Sequence, residues 1–361
     1  MENLSIVPAR EREDIPLEKI LEIENMILKK QLENNGGQTL FTPTEKKVNL
    51  FFACDDNYIP FLAVTLNSIV KRISSSEFYS AVVLHAHNIS AANQVRILSS
   101  FTRPNFEIKF HDITNEVENF ASKLHTRDYY SKATYYRLFI PNLYPNIDKA
   151  LYLDCDIVLL DDVAKLFHTD LGDNLVGATH DGAVETVKPF QDYVVNTIGV
   201  DRQEDYFNAG VLLMNTKKMR EINFENKFCS LLSQIVFDVA QDQDYLNAIC
   251  RNKVKRLDYA WDVMPFENLK IDVSDIKLIH YNLSFKPWHR DGVLYEDIFW
   301  DLAQGVDYYE EILNIKRNYP QELIELAERQ TQNLIQNTVV QSQDKARNEK
   351  IKKIIIEIMD E

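Results

Sequence analysis

Residues 150–162 read ALYLDCDIVLLDD, and this stretch decides the fold of the chain. Two apolar runs, LYL and IVLL, flank an acidic triplet whose outer members are Asp154 and Asp156. Short apolar runs of this kind are typical of buried strands. If the triplet is extended, its two carboxylates share one face of the chain and lie about 6–7 Å apart.

Two carboxylates at that spacing need a compensating charge. They repel each other, so a cation must lie near both or one of them must stay protonated. All-oxygen ligands suit Mg²⁺ or Mn²⁺. The alternative is that Asp154 and Asp156 only end the strand and face water, since Asp-x-Asp is short and common. The apolar flanks favour the metal site, because solvated turns rarely interrupt such a run.

Composition and charge limit the classes of protein to which the chain can belong. The 361 residues are 45% apolar and 11% aromatic, which suffices for one large α/β domain with additions or for two domains. The net charge of −15 argues against binding to a nucleic acid backbone. The sequence has no run of about 18 apolar residues, so a transmembrane helix is not expected. The first segment is too charged for a signal peptide. The four cysteines form no CxxC pair and are expected to be reduced, in a cytoplasmic protein.

The chain before the acidic triplet alternates strand and helix patterns. Strand patterns begin at Val48 and recur at residues 80–86 and 107–110, with helix patterns at residues 59–73 and 91–100 between them. This alternation predicts a parallel, doubly wound sheet. In such sheets, ligands bind at the carboxyl ends of the strands.

The first strand-to-helix loop, CDDNY, lacks glycine, so it is neither a dinucleotide-binding turn nor a P-loop. Asp55 and Asn57 could hydrogen-bond a base or ribose, and Tyr58 could stack on a base. The alternative is an Asx-rich turn that caps the following helix.

Later residues could complete a site at the same edge of the sheet. Arg137 could meet a phosphate, although a surface salt bridge is the commoner role. Asn208 and Gly210 are expected on a strand, where glycine often marks close approach by another group. Asp242 and Gln243 precede a helix pattern and could point toward the site, or only cap the helix.

A last strand is predicted at residues 276–279 and leads into His280. A neutral imidazole there could be a third ligand of the ion, and Lys286 could neutralise a phosphate. Residues 181–205 are polar and are interpreted as a mobile lid or acceptor loop.

Both ends of the chain are expected to be helical additions. Residues 1–46 carry an irregular apolar stripe that ends at a polar linker. Residues 345–353 carry five cations and one anion and lead into isoleucines. That helix could contact an anionic membrane surface. Packing on the protein or on a partner is the favoured interpretation.

Six segments of the chain, in order, resemble glycosyltransferase family 8, which includes bacterial lipopolysaccharide galactosyl- and glucosyltransferases and, more distantly, glycogenin. One motif would be weak, but six in the family's order, from about residue 48 to 288, are specific. The segments are FFACDDNYIPFLAVTLNSI, ATYYRLFIPNL, LYLDCDIVLL, FNAGVLLMN, QDQDYLN and IHYNLSFKPWHRD.

The resemblance implies an α/β, Rossmann-like GT-A fold, with a mostly parallel sheet flanked by helices and helical additions at both termini. The glycosyltransferase domain would span residues 47–310, with extensions at 1–46 and 311–361. The cofactor would be Mn²⁺, with Mg²⁺ as the alternative, and the donor UDP-galactose or UDP-glucose.

The resemblance also implies site residues by motif position. The implied metal ligands are Asp154, Asp156 and His280. The implied catalytic or donor-sugar residues are Gln243, Asp242 and Arg137. The implied donor-binding residues are Ala53, Asp55, Asp56, Asn57, Tyr58, Asp154, Cys155, Asn208, Leu283, Ser284, Lys286 and Trp288. Two features depart from the commonest family pattern: Cys155 between the two aspartates, and the lack of a glycine after His280.

The implied reaction is retaining, metal-dependent transfer of a hexose to a hydroxyl of a surface polysaccharide, a lipopolysaccharide or a protein-linked glycan. The implied partners are the UDP-sugar donor and the glycan or glycoprotein acceptor, with no nucleic acid. A homo-oligomer and a peripheral contact at the inner membrane face, through the C-terminal helix, are further hypotheses. The alternatives are a metal-dependent nucleotidyltransferase and a non-catalytic UDP-sugar-binding assembly subunit.

Overall fold

The computed structural model describes residues 47–121, residue 124 and residues 132–360. The expected N-terminal extension, residues 1–46, lies outside the described residues. The strands are β1 (Lys47–Ala53), β2 (Phe78–His85), β3 (Phe106–Asp112), β4 (Ala150–Leu153), β5 (Ile157–Leu159), β6 (Val176–Ala178), β7 (Val211–Met214), β8 (Val254–Arg256) and β9 (Leu278–His280).

The helices cover both faces of the sheet and continue to the end of the chain. They are α1 (Ile59–Val70), α2 (Ala91–Phe101), α3 (Thr114–Ala121), α4 (Ile140–Leu143), α5 (Val163–Phe167), α6 (Gly182–Thr186), α7 (Lys188–Tyr193), α8 (Thr216–Glu221), α9 (Phe224–Gln234), α10 (Asp242–Ile249), α11 (Glu296–Ala303), α12 (Tyr309–Asn318), α13 (Gln321–Gln343) and α14 (Lys345–Asp360). A 3₁₀ helix, Lys132–Phe139, precedes α4, and a π-helical turn, Val194–Ile198, follows α7.

Seven strands form one sheet in the order β3-β2-β1-β4-β7-β6-β8. The pairs among β1, β2, β3 and β4 are parallel, and so is the pair of β6 with β8. Strand β7 runs antiparallel to both of its neighbours, β4 and β6. The prediction of a mostly parallel sheet flanked by helices is therefore confirmed, with one reversed strand in its middle.

The reversal of β7 changes which of its ends reaches the ligand-binding edge. Asn208 and Gly210 were expected on the strand, but they precede it, since β7 begins at Val211. Because β7 is antiparallel to β4, its first residue lies beside the last residue of β4. The amide of Asp154 accordingly donates to the carbonyl of Gly210 at 2.8 Å.

The acidic triplet is a bend between two sheets rather than part of one extended strand. Strand β4 belongs to the main sheet, whereas β5 pairs with β9 in a separate two-stranded antiparallel sheet. Thr65 of α1 supports the bend, since its hydroxyl lies 3.1 Å from the Cys155 carbonyl and 2.7 Å from the Ile157 carbonyl. In the β5–β9 pair, Ile157 lies opposite His280, which brings the imidazole beside the triplet.

Alternate residues of the central strands supply two apolar layers, as the two-residue period of a strand requires. In β4, Leu151 and Leu153 face the layer that contains α1, while Tyr152 faces the layer that contains α9 and α10. Both faces are thus covered, which explains why the central strands are apolar throughout.

Residues 181–205 do not form the expected lid-like loop. They contain α6, α7 and the π-helical turn, and Tyr193, Val194 and Ile198 are buried in the second layer. The segment is therefore a packed part of the domain.

Helix α14 packs its isoleucines on the protein. Ile351, Ile355 and Ile358 are buried in the layer that contains α9, and Lys227 of α9 donates to the carbonyl of Ile358 at 2.7 Å. The apolar side of this helix is therefore covered, as the favoured interpretation expected. Among the described helices, none has the length and apolar character that crossing a bilayer demands.

Replacing Ile355 with alanine is expected to lower the free energy of unfolding by about 2–5 kcal/mol, because a buried isoleucine would leave a cavity. The neighbouring Ile356 is 49% exposed, so Ile356→Ala is the matched control and should change the free energy by no more than about 0.5 kcal/mol. Urea denaturation followed by circular dichroism measures both. Equal effects of the two substitutions would contradict the packing of α14.

Candidate active site

A cavity of about 450 Å³ opens at the edge where β1 and β4 end. Fourteen of the sequence-predicted site residues line it, although they come from segments far apart in the chain. They are Ala53, Asp55, Asn57, Tyr58, Arg137, Asp154, Cys155, Asp156, Asn208, Asp242, Gln243, His280, Leu283 and Lys286.

Three predicted site residues, Asp56, Ser284 and Trp288, are not among the described residues that line this cavity. Asp56 instead holds the start of α2: its Oδ1 accepts from the Ser90 amide at 2.9 Å and from the Asn93 side chain at 2.8 Å. Trp288 is fully buried, and its ring stacks on Phe61 with centroids 4.0 Å apart. Its burial and stacking give Trp288 a packing role, and its contact with the donor stays a prediction.

Asp154, Asp156 and His280 form a cluster that could hold a metal ion, because one ligand atom from each lies within 4.8 Å of the others. The Nε2 atom of His280 is 3.6 Å from Asp154 Oδ2 and 3.3 Å from Asp156 Oδ1. Asp156 Oδ1 is buried and has no well-aligned hydrogen-bond donor among the described residues. Two carboxylate oxygens and one imidazole nitrogen are a donor set that suits Mn²⁺, so the residues present fit a divalent cation.

Asp262 fixes the orientation of His280, and sequence reasoning missed it. This fully buried carboxylate lies 3.0 Å from His280 Nδ1 and accepts from the Thr179 hydroxyl at 2.8 Å. A carboxylate on one ring nitrogen leaves the other to face a metal. The only feature of the sequence that could have pointed to Asp262 is its position between two apolar residues, Trp261 and Val263. Burial alone would lower the pKa of His280, but Asp156 and Asp262 outweigh it and raise the pKa to about 10.

Arg137 is a buried partner of two carboxylates. Its guanidinium lies 2.9 Å from Asp154 Oδ1 and 3.1 Å from Asp242 Oδ2, and it also donates to the carbonyl of Ala209. The Tyr152 hydroxyl donates to the same Asp154 oxygen at 2.9 Å. The salt bridge considered for Arg137 is thus present, but inside the site and not on the surface. Burial raises the pKa of Asp242 to about 6, against the effect of Arg137.

Lys286 compensates the second aspartate. Its ammonium group contacts Asp156 Oδ2 and donates to the Tyr281 carbonyl at 2.6 Å. Burial would raise the pKa of Asp156, but Lys286 and His280 hold it well below its usual range. Each aspartate of the pair therefore has its own buried cation.

The amide of Gln243 is held by neighbours on both sides. Its oxygen accepts from the Ala209 amide at 2.8 Å, and its nitrogen lies 3.1 Å from Asp181 Oδ2. Asn208 donates to the same Asp181 oxygen at 2.9 Å. Sequence reasoning missed Asp181, which lies at the start of the segment interpreted as a loop.

The first loop contains the Asx turn considered as the alternative. Asp55 Oδ1 accepts from the Asn57 amide at 3.0 Å, and both residues also line the cavity. Cys155 turns to the other side of the triplet, since its thiol donates to the Ala53 carbonyl at 3.5 Å. Its contact with Cys54 and its burial raise the pKa of the thiol well above the usual value.

Comparison with known proteins identifies the family. The profile of the family described as Glycosyl transferase family 8 matches residues 49–292. The chain belongs to glycosyltransferase family 8. It is therefore a glycosyltransferase, which separates it from the nucleotidyltransferase and from the non-catalytic subunit considered above.

Named relatives and solved structures agree with this assignment. The chain is 25% identical to the lipopolysaccharide 1,2-glucosyltransferase of Escherichia coli over an alignment of 282 positions, which covers 74% of this chain and 77% of that protein. The structure of the galactosyltransferase LgtC with donor and acceptor sugar analogues matches at 30% identity and a TM-score of 0.60, over 72% of this chain and 96% of that one. The structure of the bifunctional glycosyltransferase WbbM matches at 28% identity and a TM-score of 0.64, over 76% of this chain and 53% of that one. The fold is GT-A-like, as predicted.

At Gly210 the cluster leaves no room for a side chain. A Cβ atom built there would lie 2.2 Å from His280 Cε1 and 2.7 Å from Asp154 Oδ2. Real Cβ atoms do not approach this closely, so any side chain at residue 210 must displace a member of the cluster.

Replacing Gly210 with alanine is expected to separate His280 from Asp154 and to weaken Mn²⁺ binding by at least about tenfold, since ligand geometry sets affinity. Isothermal titration with Mn²⁺ measures this effect, and circular dichroism checks that the fold is retained. Gly172→Asn is the control: no atom lies within 4 Å of its Cβ position, asparagine tolerates the φ of +53° found there, and the residue lies outside the cavity. Unchanged Mn²⁺ affinity of the folded Gly210 variant would contradict the crowded cluster.

Proposed function

We propose that this family 8 glycosyltransferase moves galactose or glucose from a UDP-sugar to a hydroxyl of a glycan acceptor, with retention and with a divalent cation, Mn²⁺ or Mg²⁺. The observation that carries the proposal is the convergence of Asp154, Asp156 and His280 within 4.8 Å, beside the buried ammonium of Lys286. A cluster with this charge pattern suits an ion and a diphosphate together.

The first loop would receive the nucleoside. Asp55 and Asn57 offer polar atoms to the base and ribose, and Tyr58 offers a ring at the cavity wall. Lys286 and the backbone around Leu283 would receive the diphosphate. A bound divalent cation would stabilise the negative charge that develops on the departing diphosphate. Lys286 would add to this stabilisation from a buried position, where water screens its charge little.

Arg137 and Asp242 would define the space for the donor sugar. Arg137 is held by two carboxylates and two carbonyls, so its guanidinium is oriented before a ligand enters. Such preorganisation lets a group act without reorganisation cost at the moment of reaction. Asn208 and Gln243 would complete this part of the cavity through their shared contact with Asp181.

Retention would follow a front-face route. Gln243 is a poor candidate nucleophile, since an amide oxygen is weakly nucleophilic and this one already accepts from the Ala209 amide. In the proposed step, the acceptor oxygen bonds to the anomeric carbon on the side from which UDP departs. The bond from that carbon to the phosphate oxygen breaks, and the acceptor proton passes to the departing phosphate.

A screen for UDP release across nucleotide sugars, with Mn²⁺ and without acceptor, is expected to select UDP-galactose or UDP-glucose. Asp156→Asn should reduce release at least about 100-fold, because removing a ligand charge weakens transition-state stabilisation by several kcal/mol. A chelator should do the same reversibly. Asp161→Asn is the matched control, since Asp161 caps the next turn and pairs with Lys165 outside the cavity. Full activity of Asp156→Asn in metal-free buffer would overturn the proposal.

Replacing Lys286 with alanine is expected to weaken UDP binding about 10- to 100-fold, because a buried charge-assisted contact contributes about 1.5–3 kcal/mol. Lys165→Ala is the control, as this exposed lysine pairs with Asp161. Calorimetric titration of UDP in the presence of Mn²⁺ measures both. An unchanged dissociation constant for the Lys286 variant would remove this residue from the diphosphate site.

A further inference from the structure

One part of the cavity lining comes from helices α7 and α13 and the π-helical turn, which carry none of the residues assigned to the donor. Helix α13 begins at residue 321, beyond the family match at 49–292, yet Ala327, Gln330, Thr331 and Leu334 line the cavity. Helix α13 packs along α7 and the π-helical turn, which contribute Phe190, Tyr193 and Val194. We call these seven lining residues the α7–α13 wall.

The α7–α13 wall carries no charge, in contrast to the rest of the cavity. Its seven members are apolar, aromatic or neutral polar residues. Arg137 and Lys286, the lysine and arginine among the described lining residues, contact the metal cluster and are assigned to the donor. The wall itself contains neither residue type, so the phosphate or carboxylate of a charged acceptor would find no cation there, and such a buried charge needs a partner.

Gln241 adds an unused hydrogen-bonding group to the cavity. It is only 3% exposed, and neither its Oε1 nor its Nε2 has a hydrogen-bond partner among the described residues. Its backbone has φ +52° and ψ −118°, a conformation that costs energy for any residue other than glycine. A buried amide without a partner is destabilising, unless a ligand completes its hydrogen bonds.

We propose that the α7–α13 wall and Gln241 form the acceptor subsite and that it takes an uncharged hexoside, an inference that rests on the proposed transfer reaction. An amide offers both a donor and an acceptor, as a sugar hydroxyl does, so Gln241 would bind a hydroxyl of the acceptor. The apolar face of the acceptor ring, or an apolar aglycone, packs on the α7–α13 wall. Helix α13 is then a specificity element attached to the family core.

The test uses octyl β-glucoside and octyl β-galactoside as neutral probes, with glucose 6-phosphate and galacturonic acid as charged ones. Saturation-transfer NMR on the full chain, with and without Mn²⁺ and UDP, should show binding of a neutral probe only. Transfer from the UDP-sugar selected above should follow the same preference. Equal binding of neutral and charged probes, or binding of neither class, would overturn the proposal.

Two variants test the α7–α13 wall and the Gln241 side chain separately. Leu334→Glu should raise the KM for the octyl hexoside at least about tenfold, because it places a charge in the wall. Leu326→Glu is its control on the same helix, as Leu326 is 40% exposed and outside the cavity. Gln241→Met should raise the same KM while leaving Tm unchanged or higher, since it removes an unpartnered buried amide. A merely structural glutamine would instead lower Tm.

The outcome also distinguishes this inference from the proposed function. If UDP fails to bind the unaltered chain with Mn²⁺, the donor assignment fails, while saturation transfer to the octyl hexosides still reports on the subsite. If UDP binds and Leu334→Glu leaves the KM for the neutral acceptor unchanged, the subsite is wrong and the donor assignment stands. Unchanged UDP affinity in Leu334→Glu, measured by calorimetry, confirms that its effect is confined to the acceptor.

Discussion

The mutual repulsion of Asp154 and Asp156 is the constraint on which the rest of the site depends. Each carboxylate has its own buried cation, Arg137 or Lys286, and His280 lies between them. The two cations come from opposite sides of the sheet, because the 3₁₀ helix belongs to one apolar layer and the chain after β9 to the other. Removal of one partner would leave a buried charge uncompensated, which is why the layers must meet at this edge.

The reversed strand β7 makes this meeting possible. In a fully parallel sheet, only carboxyl ends of strands reach the ligand edge. Because β7 is antiparallel, the residues before it also reach that edge, and they are Asn208, Ala209 and Gly210. Their backbone accepts from Arg137 and donates to Gln243, so this short segment links the donor-sugar residues to the cluster. The absence of a Cβ at residue 210 lets His280 approach Asp154.

The charged and the uncharged residues that line the cavity come largely from different parts of the chain. The charged lining residues lie within the part of the chain that matches family 8, whereas four of the seven residues of the α7–α13 wall lie beyond residue 320. A family core that handles the donor can therefore be combined with an added helix that shapes the remaining space. Such a helix can change without disturbing the ion pairs of the core, because it shares no ion pair with the cluster among the described residues.

The sequence by itself determined strands β1 to β4 and β9, helices α1 and α2, the acidic pair and the segment that carries His280 and Lys286, because these depend on local patterns. Only the tertiary structure decided the reversal of β7, the separate β5–β9 sheet, and the roles of Asp262, Asp181 and Gln241. Asp262 and His280 meet because β9 and the turn before it pack side by side. The unpaired state of Gln241 and the position of α13 also depend on contacts between distant segments, which no local pattern encodes.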